Sequence, residues 1–390
     1  MNTIIYRRSL LSAGVGSLLL PTAIPLFART AENSPSSISA QTCTDCTDWL
    51  AQRLAVRSDV VRLPAGNFSV SRPVDITGTS IVGAGADLTR LIYTGPDDVP
   101  FLSVGCSPGS SAEVRDLSLI RAGKGGGTAI SVARVGACYF EHRRRILIDN
   151  VNFRGVEVTR APNGWMSSSS WQTCIELGDS WGTHISRVDA IGGYDIRQAP
   201  NQSDRSVFLR TGAVSGILSA RISGVTAASF YRGIEIGPKT FFFISDCDIA
   251  ASYDGIISTH DASDGFSEGR IRDTLINAQR VGISLKSTAW REISGVAINR
   301  HKEGYKRGDW IGMQLDGVFK SWIGKMRFQV DTTHGDFEGQ AVGISLNKCS
   351  DLMISEVMFG QGLTCDIVQS NCVRILTPNN VNHTPLQCRR

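Results

Sequence analysis

The sequence is short of net charge, of histidine and of long apolar runs, and each shortage excludes a class of function. The net charge is only +4 over 390 residues, with no basic stripe, which argues against a nucleic-acid partner. The six histidines show no His-x-His or His-x-x-x-His spacing, so no zinc site is expected. Beyond the N-terminal segment no run reaches the roughly 18 apolar residues of a membrane helix. We therefore expect no stable membrane insertion after leader cleavage.

Sustained helical periodicity is also absent between residues 100 and 375, which argues against alternating strands and helices. A six-residue strand signature is present instead, with the pattern apolar, any residue, turn or charged residue, apolar, any residue, apolar. Its nine copies start at Val114, Ile148, Ile185, Ile222, Ile244, Ile271, Ile293, Ile323 and Ile354. Their mean spacing of about 30 residues is typical of a solenoid.

A second signature, Gly-apolar-x-apolar or a close relative, follows most copies of the first. It starts at Ala129, Cys174, Val207, Gly233, Gly255, Gly282, Gly312 and Gly343. Repeats of short strands separated by bends predict an all-β parallel β-helix. A leucine-rich repeat is the main rival, but its Leu/Asn spacing is missing. A short helix over Thr47–Val56, with Thr47 as its cap, is predicted to plug the first coil.

The N-terminus predicts export. Arg7 and Arg8 precede a broken apolar stretch, so residues 1–28 are expected to be a signal peptide that resembles a twin-arginine leader, although a Sec signal could carry the same pair. Residues 29–42 form a linker, 43–378 the β-helix domain with its cap, and 379–390 a C-terminal tail. The mature protein is expected to be periplasmic or secreted.

The ten cysteines are an even number, which is compatible with disulfide bonds in an oxidising compartment. Cys43 and Cys46 are predicted to form a structural bridge, because no second Cys-x-x-Cys accompanies them. Cys174 and Cys247 fall on strand positions expected to be buried, where a thiol acts as a small apolar group.

The segment behind the predicted helix contains VVRLPAGNFSV from Val60, then VDITG and IVGAGADLTRLI. This run closely resembles the opening of the pectate-lyase-like superfamily, and the resemblance covers about residues 45–375 as a fold. It implies a single-stranded right-handed parallel β-helix of about 9–11 coils, with a groove for acidic or complex polysaccharide. Catalytic motifs of its families, such as Asn-Thr-Asp, Gly-His-Gly and Asp-Pro-His, are absent, so the resemblance leaves the reaction open.

Alternation predicts which residues of the second signature point outward. That column is Ser131, Glu176, Phe208, Glu235, Ile257, Ser284, Gln314 and Ser345. Glu176 and Glu235 fall two coils apart, about 9.6 Å at about 4.8 Å per coil, close to the separation of about 6.5–9.5 Å in an inverting glycosidase. Asp189 and Asp248 show the same offset in the first signature. Ordinary solvated carboxylates are the alternative.

Three of the seven tryptophans, Trp165, Trp171 and Trp181, lie in the long repeat that contains Glu176, beside Asp179 and His184. Sugar rings stack on flat aromatic faces, so an aromatic-rich loop over an outward carboxylate indicates a glycan groove. Covering of the solenoid side or an oligomer contact would explain the tryptophans equally well.

The sequence thus favours an exported glycoside hydrolase. Glu176 and Glu235 are its predicted general acid and base, and Asp179 would adjust the pKa of the acid. The predicted substrate-binding residues are Trp165, Trp171, Trp181, His184, Asp189, Phe208, Tyr231 and Asp248. One alternative is a lyase acting on a uronate-containing glycan, with a base among Lys239, Arg232, Tyr231 and His184. The other is a non-catalytic carbohydrate-binding or structural β-helix.

No metal or other cofactor is expected for a hydrolase, whereas a lyase could use calcium. Asp261, Asp264 and Glu268 could hold such an ion, although turn geometry explains this polar loop as well. Asp246 and Asp273 are assigned to bends. Polysaccharide is the expected partner, and the long early repeats leave room for an oligomer.

Overall fold

The computed structural model describes residues 45–55, 60–105, 111–132, 146–161, 164–197, 205–212, 218–287, 291–300, 307–330 and 338–381. The predicted leader, the linker, Cys43 and most of the C-terminal tail lie outside the described residues. Within them are one α-helix, one 3₁₀ turn and 28 strands, so the protein is all-β. No helix in these ranges is long and apolar enough to cross a membrane.

The secondary-structure elements follow one another along the chain with short connections. The first are α1 (Thr47–Ala55), β1 (Val60–Arg62), β2 (Gly66–Val70), β3 (Val74–Asp75), β4 (Ser80–Val82), β5 (Thr89–Tyr93), β6 (Leu102–Val104), β7 (Ala112–Arg121), β8 (Thr128–Val132) and β9 (Ile146–Gly155). The next are β10 (Val158–Ala161), β11 (Gly164–Ser167), β12 (Thr173–Leu177), β13 (Trp181–Ile191), β14 (Val207–Thr211), β15 (Leu218–Ala228), β16 (Arg232–Ile236), β17 (Thr240–Ser245) and β18 (Asp248–Ser258). The last are β19 (Glu268–Arg272), β20 (Leu275–Lys286), β21 (Glu292–Ser294), β22 (Ala297–Arg300), β23 (Trp310–Asp316), β24 (Phe319–Val330), β25 (Ala341–Asn347), β26 (Ser350–Phe359), β27 (Cys365–Ser370) and β28 (Val373–Leu376).

The strands form three sheets, and each strand pairs in parallel with its equivalents in neighbouring coils. Sheet 1 consists of β3, β6, β8, β12, β14, β16, the second halves of β18 and β20, β23, β25 and β27. Sheet 2 consists of β1, β4, the first halves of β7, β9, β13, β15, β24 and β26, and β17, β19, β21 and β28. Sheet 3 takes β2, β5, β22 and the remaining halves of the long strands. The β10–β11 hairpin is antiparallel and stands outside this stack.

The first signature spans the bend from sheet 2 to sheet 3. In all nine copies its third residue has φ between 47° and 66°, a left-handed conformation that favours Gly, Asn and Asp. These residues are Asp116, Asn150, Arg187, Gly224, Asp246, Asp273, Gly295, Lys325 and Glu356. One residue therefore makes the turn, and the assignment of Asp246 and Asp273 to bends is confirmed.

The core is a set of stacked apolar ladders inside the coils. The first residue of every copy of the signature, from Val114 to Ile354, is at most 2 % exposed. Each of these residues lies directly over its equivalent in the next coil, as Ile185 does over Ile222. Branched side chains at strand spacing fill this interior with few gaps, and the core therefore fixes the register of the outward residues.

The glycines of the second signature mark the corner where the chain enters sheet 1. They stack in one column, and a Cβ on Gly233 would overlap the side chain of Ile249, which projects inward from sheet 3. The equivalent atom on Gly282 would overlap Ile298. Glycine recurs here because the backbone approaches the core side chains too closely for any other residue.

Helix α1 lies over the first coil, and its Leu50 and Leu54 belong to the same core. The predicted cap is wrong. Asp45 accepts a hydrogen bond from the Thr47 amide at 2.9 Å, while the Thr47 hydroxyl accepts one from the Ser71 amide at 2.8 Å. Hydrogen bonds from Ser71 and Thr47 lower the pKa of Asp45 to about 2. Thr47 thus ties the helix to the coil beneath it.

The cysteines in this part of the chain act mainly as buried apolar groups. Cys174, Cys247 and Cys349 are buried free thiols, and Cys372 is a half-buried one, so the expected disulfides do not involve these four. Burial raises the pKa of Cys247 to about 11, which leaves it protonated at neutral pH. The predicted burial of Cys174 and Cys247 is confirmed.

Candidate functional site

The outward column of sheet 1 places two acids and an arginine on three consecutive coils. Glu176 lies opposite Arg210, and Arg210 lies opposite Glu235. The predicted two-coil offset of Glu176 and Glu235 is therefore confirmed, with a cation on the coil between them. The column consists of Ser131, Glu176, Arg210, Glu235, Ile257, Ser284, Gln314 and Ser345.

The prediction that Phe208 belongs to this column is wrong. Phe208 is completely buried, with its ring centroid 6.0 Å from that of Phe230, so it cannot contact a glycan. The second signature in this coil starts at Phe208 rather than at Val207. In this frame Phe208 falls at the corner position, opposite Gly233 of the next coil, and turns into the core, whereas Arg210 takes the outward position opposite Glu235.

Glu235 is only 3 % exposed, because guanidinium groups cover both of its carboxylate oxygens. Arg210 donates from Nε to Oε2 at 2.6 Å, and Arg232 donates from Nη1 to Oε1. Charge-assisted bonds of this kind are strong and directional. Glu235 therefore holds the two arginines in fixed positions at the surface of sheet 1.

Asp254 extends this network along the stack. It is fully buried and accepts two hydrogen bonds from Arg280, from Nε at 2.9 Å and from Nη2 at 2.6 Å. The Nε of Arg232 lies 3.8 Å from the same carboxylate. Burial raises the pKa of Asp254, although both arginines oppose that shift. Arg232 thus bridges Glu235 and Asp254, and the ion pairs cross four consecutive coils.

Three tyrosines lie beside the ion pairs. The rings of Tyr231 and Tyr253 stack at 4.9 Å and 16°, and Tyr194 meets both edge-on at 5.8 and 6.3 Å. The guanidinium of Arg232 lies 5.6 Å from the Tyr231 centroid, and that of Arg280 lies 5.1 Å from the Tyr253 centroid. The rings therefore provide flat apolar faces next to fixed cations.

A cavity of about 610 Å³ opens over Glu235, and its lining includes Tyr231 and the arginines Arg205, Arg210 and Arg232. A second cavity of about 480 Å³ shares Arg205 and is lined by the serines 167–170. A third, of about 390 Å³, is lined by residues that include Tyr253, Arg280 and Arg307. We call the first two cavities, which share Arg205, the groove. In the largest one, three arginines face a single carboxylate, so the groove favours anionic ligands.

The three tryptophans are not gathered over Glu176. Trp171 is 1 % exposed and donates from Nε1 to the Leu119 carbonyl at 3.1 Å, so most of its ring belongs to the core, although the residue also lines the second cavity of the groove. Trp181 is 45 % exposed and begins β13 on sheet 2. Trp165 is 50 % exposed on the β10–β11 hairpin, which leads into the serines of the groove. Of the three, Trp171 lines the second cavity itself, and Trp165 lies two residues from Ser167 along the chain.

The other predicted site residues are spread over the molecule. His184 lies on sheet 2, whereas Asp189 and Asp248 lie on sheet 3, two coils apart as predicted, with Thr226 between them. Burial raises the pKa of Asp248. Asp179 is buried in the turn after β12, three residues beyond Glu176. Of the residues named from the sequence, Glu235, Tyr231 and Arg232 line the largest of these three cavities together.

The polar loop after β18 is built as a turn. Asp261 donates from its amide to Oδ2 of Asp264 at 3.0 Å, across the 3₁₀ turn Ala262–Asp264. His260 is buried with Nδ1 3.3 Å from the Ile236 carbonyl oxygen, and burial lowers its pKa. In the described ranges, no group of three or more His, Cys, Asp and Glu residues could hold a metal ion.

Sequence reasoning missed Arg210, Asp254, Arg280 and two of the three tyrosines. A signal for some of them was present, because Tyr231-Arg232-Gly233-Ile234 and Tyr253-Asp254-Gly255-Ile256 repeat one pattern on adjacent coils. The residue before each stacked glycine points outward at the same height, so Arg232 and Asp254 had to be neighbours.

No protein-family model and no curated protein sequence matches the chain. Solved structures match in fold. DFA-IIIase from Arthrobacter chlorophenolicus A6, in complex with DFA-III, aligns with a TM-score of 0.53 and 10 % identity over 91 % of this chain and 98 % of that chain. The enzymatically active domain of tailspike protein 2 from bacteriophage CBA120 aligns with a TM-score of 0.52 and 11 % identity, over 78 % of this chain. The chain spans only 45 % of the length of that tailspike.

These matches are too low in identity to show more than a fold. They agree with the parallel pairing of every coil and with the bends described above. The chain has the right-handed parallel β-helix fold of the pectate-lyase-like proteins, as its opening segment predicted.

Proposed function

We propose that this protein is an exported enzyme that binds an acidic polysaccharide in the groove on sheet 1 and cleaves it. The observation that carries the proposal is the lining of the largest of the three cavities, where Arg205, Arg210 and Arg232 accompany one carboxylate, Glu235, with Asp254 buried behind Arg232. Uronate carboxylates would offset that excess of positive charge, and Arg is the residue best suited to bind them. The similarity in fold to DFA-IIIase and to a tailspike supports action on a carbohydrate. The proposal takes the stack to be one β-helix of about 9–11 coils behind a cleaved leader.

The geometry favours elimination over hydrolysis. Hydrolysis by two carboxylates needs one acid and one free base, but both oxygens of Glu235 are engaged by arginines. Elimination needs a neutralised uronate carboxylate and a base beside the ring. Arg210 and Arg232 would neutralise the carboxylate, which lowers the cost of the negative charge that develops when the adjacent carbon loses its proton.

The base we assign is Tyr231. Of the four candidates in the sequence, His184 lies on sheet 2, Lys239 is exposed in a turn after sheet 1, and Arg232 is bound to Glu235. Tyr231 lines the cavity and is half-buried. Its phenolate form would take the proton from the ring carbon next to the uronate carboxylate while the neighbouring glycosidic carbon–oxygen bond breaks. The phenol formed in this way then gives that proton to the leaving oxygen, so no water is consumed.

Hydrolysis stays the second candidate, because Glu176 and Glu235 do have the two-coil offset of an inverting pair. The test incubates the mature protein with neutral and uronate polysaccharides and follows reducing ends together with the ultraviolet absorbance of unsaturated uronate. Elimination raises both signals, and Tyr231→Phe should lower the rate at least a hundredfold, in line with loss of a general base. Reducing ends without absorbance, lost in Glu176→Gln, would establish hydrolysis instead. Binding without any product would identify a non-catalytic β-helix.

A further inference from the structure

We propose that the outer face of sheet 2 is a second, non-catalytic binding surface for an acidic polysaccharide chain. This inference rests on the proposed function in one respect, namely that the ligand of this protein is an acidic glycan. The surface, here called the aromatic face, consists of Trp181, Arg221, Phe241, Phe243 and Arg270. It belongs to a different sheet from the groove and uses none of the groove residues.

Solvent-exposed rings cluster on this sheet. Trp181 is 45 % exposed and Phe243 40 % exposed, and the Trp181 ring lies 6.0 Å from that of Phe241. Further along the stack, Phe266 is 57 % exposed and contacts Phe319 at the same centroid distance. Large rings left in water as a group indicate a surface that binds something.

From one coil to the next, arginine side chains and an aromatic ring alternate on this face. Backbone register places Arg221 opposite Phe243, and Phe243 opposite Arg270, on consecutive coils about 4.8 Å apart. The guanidinium of Arg221 lies 5.9 Å from the Phe243 centroid. Arg221 is exposed and forms no ion pair with any acid of the described ranges, whereas Arg270 lies 3.7 Å from Glu292, so the charge of Arg221 is the one available to a ligand.

The column beside these residues is small and polar. Ser186, Ser223 and Ser245 stack in register on three consecutive coils, two positions along from His184, Arg221 and Phe243. Their short side chains lie next to the rings, with a hydroxyl group on each of these three coils, of which that of Ser186 donates to Asp149 at 2.7 Å. A sugar ring can stack on Phe243 or Trp181 through its C–H face while its own hydroxyls bond to these serines.

The mixture of charges and rings favours a glycan over a protein partner. The buried centre of a protein interface is depleted of charge, whereas Arg221 and Arg270 lie within this face. A hydrated acidic chain leaves such cations wet and can pair with Arg221, while Arg270 already has Glu292 as a neighbour. The regular rise of about 4.8 Å per coil also places one side chain per coil along a straight line, which suits an extended polymer.

The test is native electrophoresis of the full chain in gels that contain polygalacturonate, alginate or, as a neutral polymer, dextran. We expect an acidic polymer to retard the protein and Trp181→Ala/Phe243→Ala to raise the apparent Kd at least tenfold. Arg221→Ala should weaken retardation less and reduce its dependence on salt. Met358→Ala is the matched control, because Met358 is 47 % exposed on sheet 3 and should leave binding unchanged.

Retardation of the double variant equal to that of Met358→Ala would overturn the proposal, and so would a wild-type protein that no acidic polymer retards. A wild-type dimer in light scattering that the double variant abolishes would assign the face to self-association instead. Product formation from short uronate oligosaccharides, measured in parallel, tests the groove alone. If the protein forms no product while the double variant still loses retardation, the enzyme proposal fails and the aromatic face stands.

Discussion

Sheets 1 and 2 share one core and one strand spacing, yet their outer faces differ in kind. On sheet 1, Glu235 and Asp254 are buried within ion pairs, whereas on sheet 2 the side chain of Glu292 is 20 % exposed and the Phe243 ring faces solvent. The reason lies at the corners. The chain enters sheet 1 through segments that carry Tyr194, Tyr231 and Tyr253, which cover the outward charges, but it leaves sheet 2 through a single left-handed residue. Corners therefore decide which outward residues form a cavity and which stay on an open face.

The largest effect is expected when a substitution removes a buried ion pair of sheet 1. Asp254→Ala should lower the free energy of unfolding by about 3 kcal/mol, because it leaves Arg280 without its buried counter-charge and removes one of the two carboxylates beside Arg232. Urea unfolding followed by circular dichroism measures the loss. On sheet 2, Glu292→Ala removes an ion pair with Arg272 and should change the midpoint little, since the arginine is well exposed. Equal losses in the two variants would remove the distinction between the sheets.

A smaller effect on stability is expected from substitutions at the two corners, one before sheet 1 and one after sheet 2. Gly282→Ala should destabilise by about 2 kcal/mol, because its Cβ would overlap Ile298 and lie 2.6 Å from the Gly312 carbonyl oxygen. Gly224→Asn is the matched substitution at the bend after sheet 2. It should be nearly neutral, since nothing lies within 3.7 Å of the new Cβ and Asn150 already takes φ 53° at the equivalent position. Thermal unfolding of both variants tests the pair, and a loss in Gly224→Asn as large as that in Gly282→Ala would contradict it.

The smallest expected effect concerns the pH dependence of stability. A carboxylate on sheet 2 and one on sheet 1 should contribute to it with opposite signs. On sheet 2, the bond from Arg187 lowers the pKa of Asp149, so its stabilisation exists above the ordinary carboxyl pKa of about 4 and is lost as the pH falls. On sheet 1, burial raises the pKa of Asp254, so its contribution is present at low pH and is lost as the pH rises.

Unfolding of wild type, Asp149→Asn and Asp254→Asn between about pH 7 and pH 3 measures both trends. The advantage of wild type over Asp149→Asn should shrink on acidification, by less than about 1 kcal/mol because Arg187 is exposed. Its stability relative to Asp254→Asn should rise over the same range. Parallel curves for the two variants would show that burial does not distinguish these carboxylates.

The repeats made the fold predictable because each coil obeys one local rule. A residue able to take positive φ between two apolar positions specifies the bend, and nine such copies fixed the stacking register. The offset of Glu176 from Glu235 followed from that register alone. Phe208 was misplaced because Val207, Phe208 and Leu209 are all apolar, so alternation could not set the frame of that strand.

The covering of the strands was not predictable in the same way. Trp171 is buried because Tyr93 and Phe101, from earlier coils, stack against it at 5.9 and 6.0 Å. The pairing of Arg280 with Asp254 likewise joins residues 26 positions apart that meet only after the coils have stacked. Neither contact leaves a pattern within one repeat, so the groove became visible only in the folded chain.

The parallel pairing of successive coils also has a mechanical consequence. Backbone hydrogen bonds between equivalent strands, such as β13 with β15, run along the axis of the stack. Tension applied along that axis loads the junctions between coils in series, so the weakest junction yields first and coils peel away one at a time. Shear across the axis loads many bonds together. We therefore expect the stack to withstand a force across its axis, such as a bound polymer would apply, far better than tension applied to its two ends.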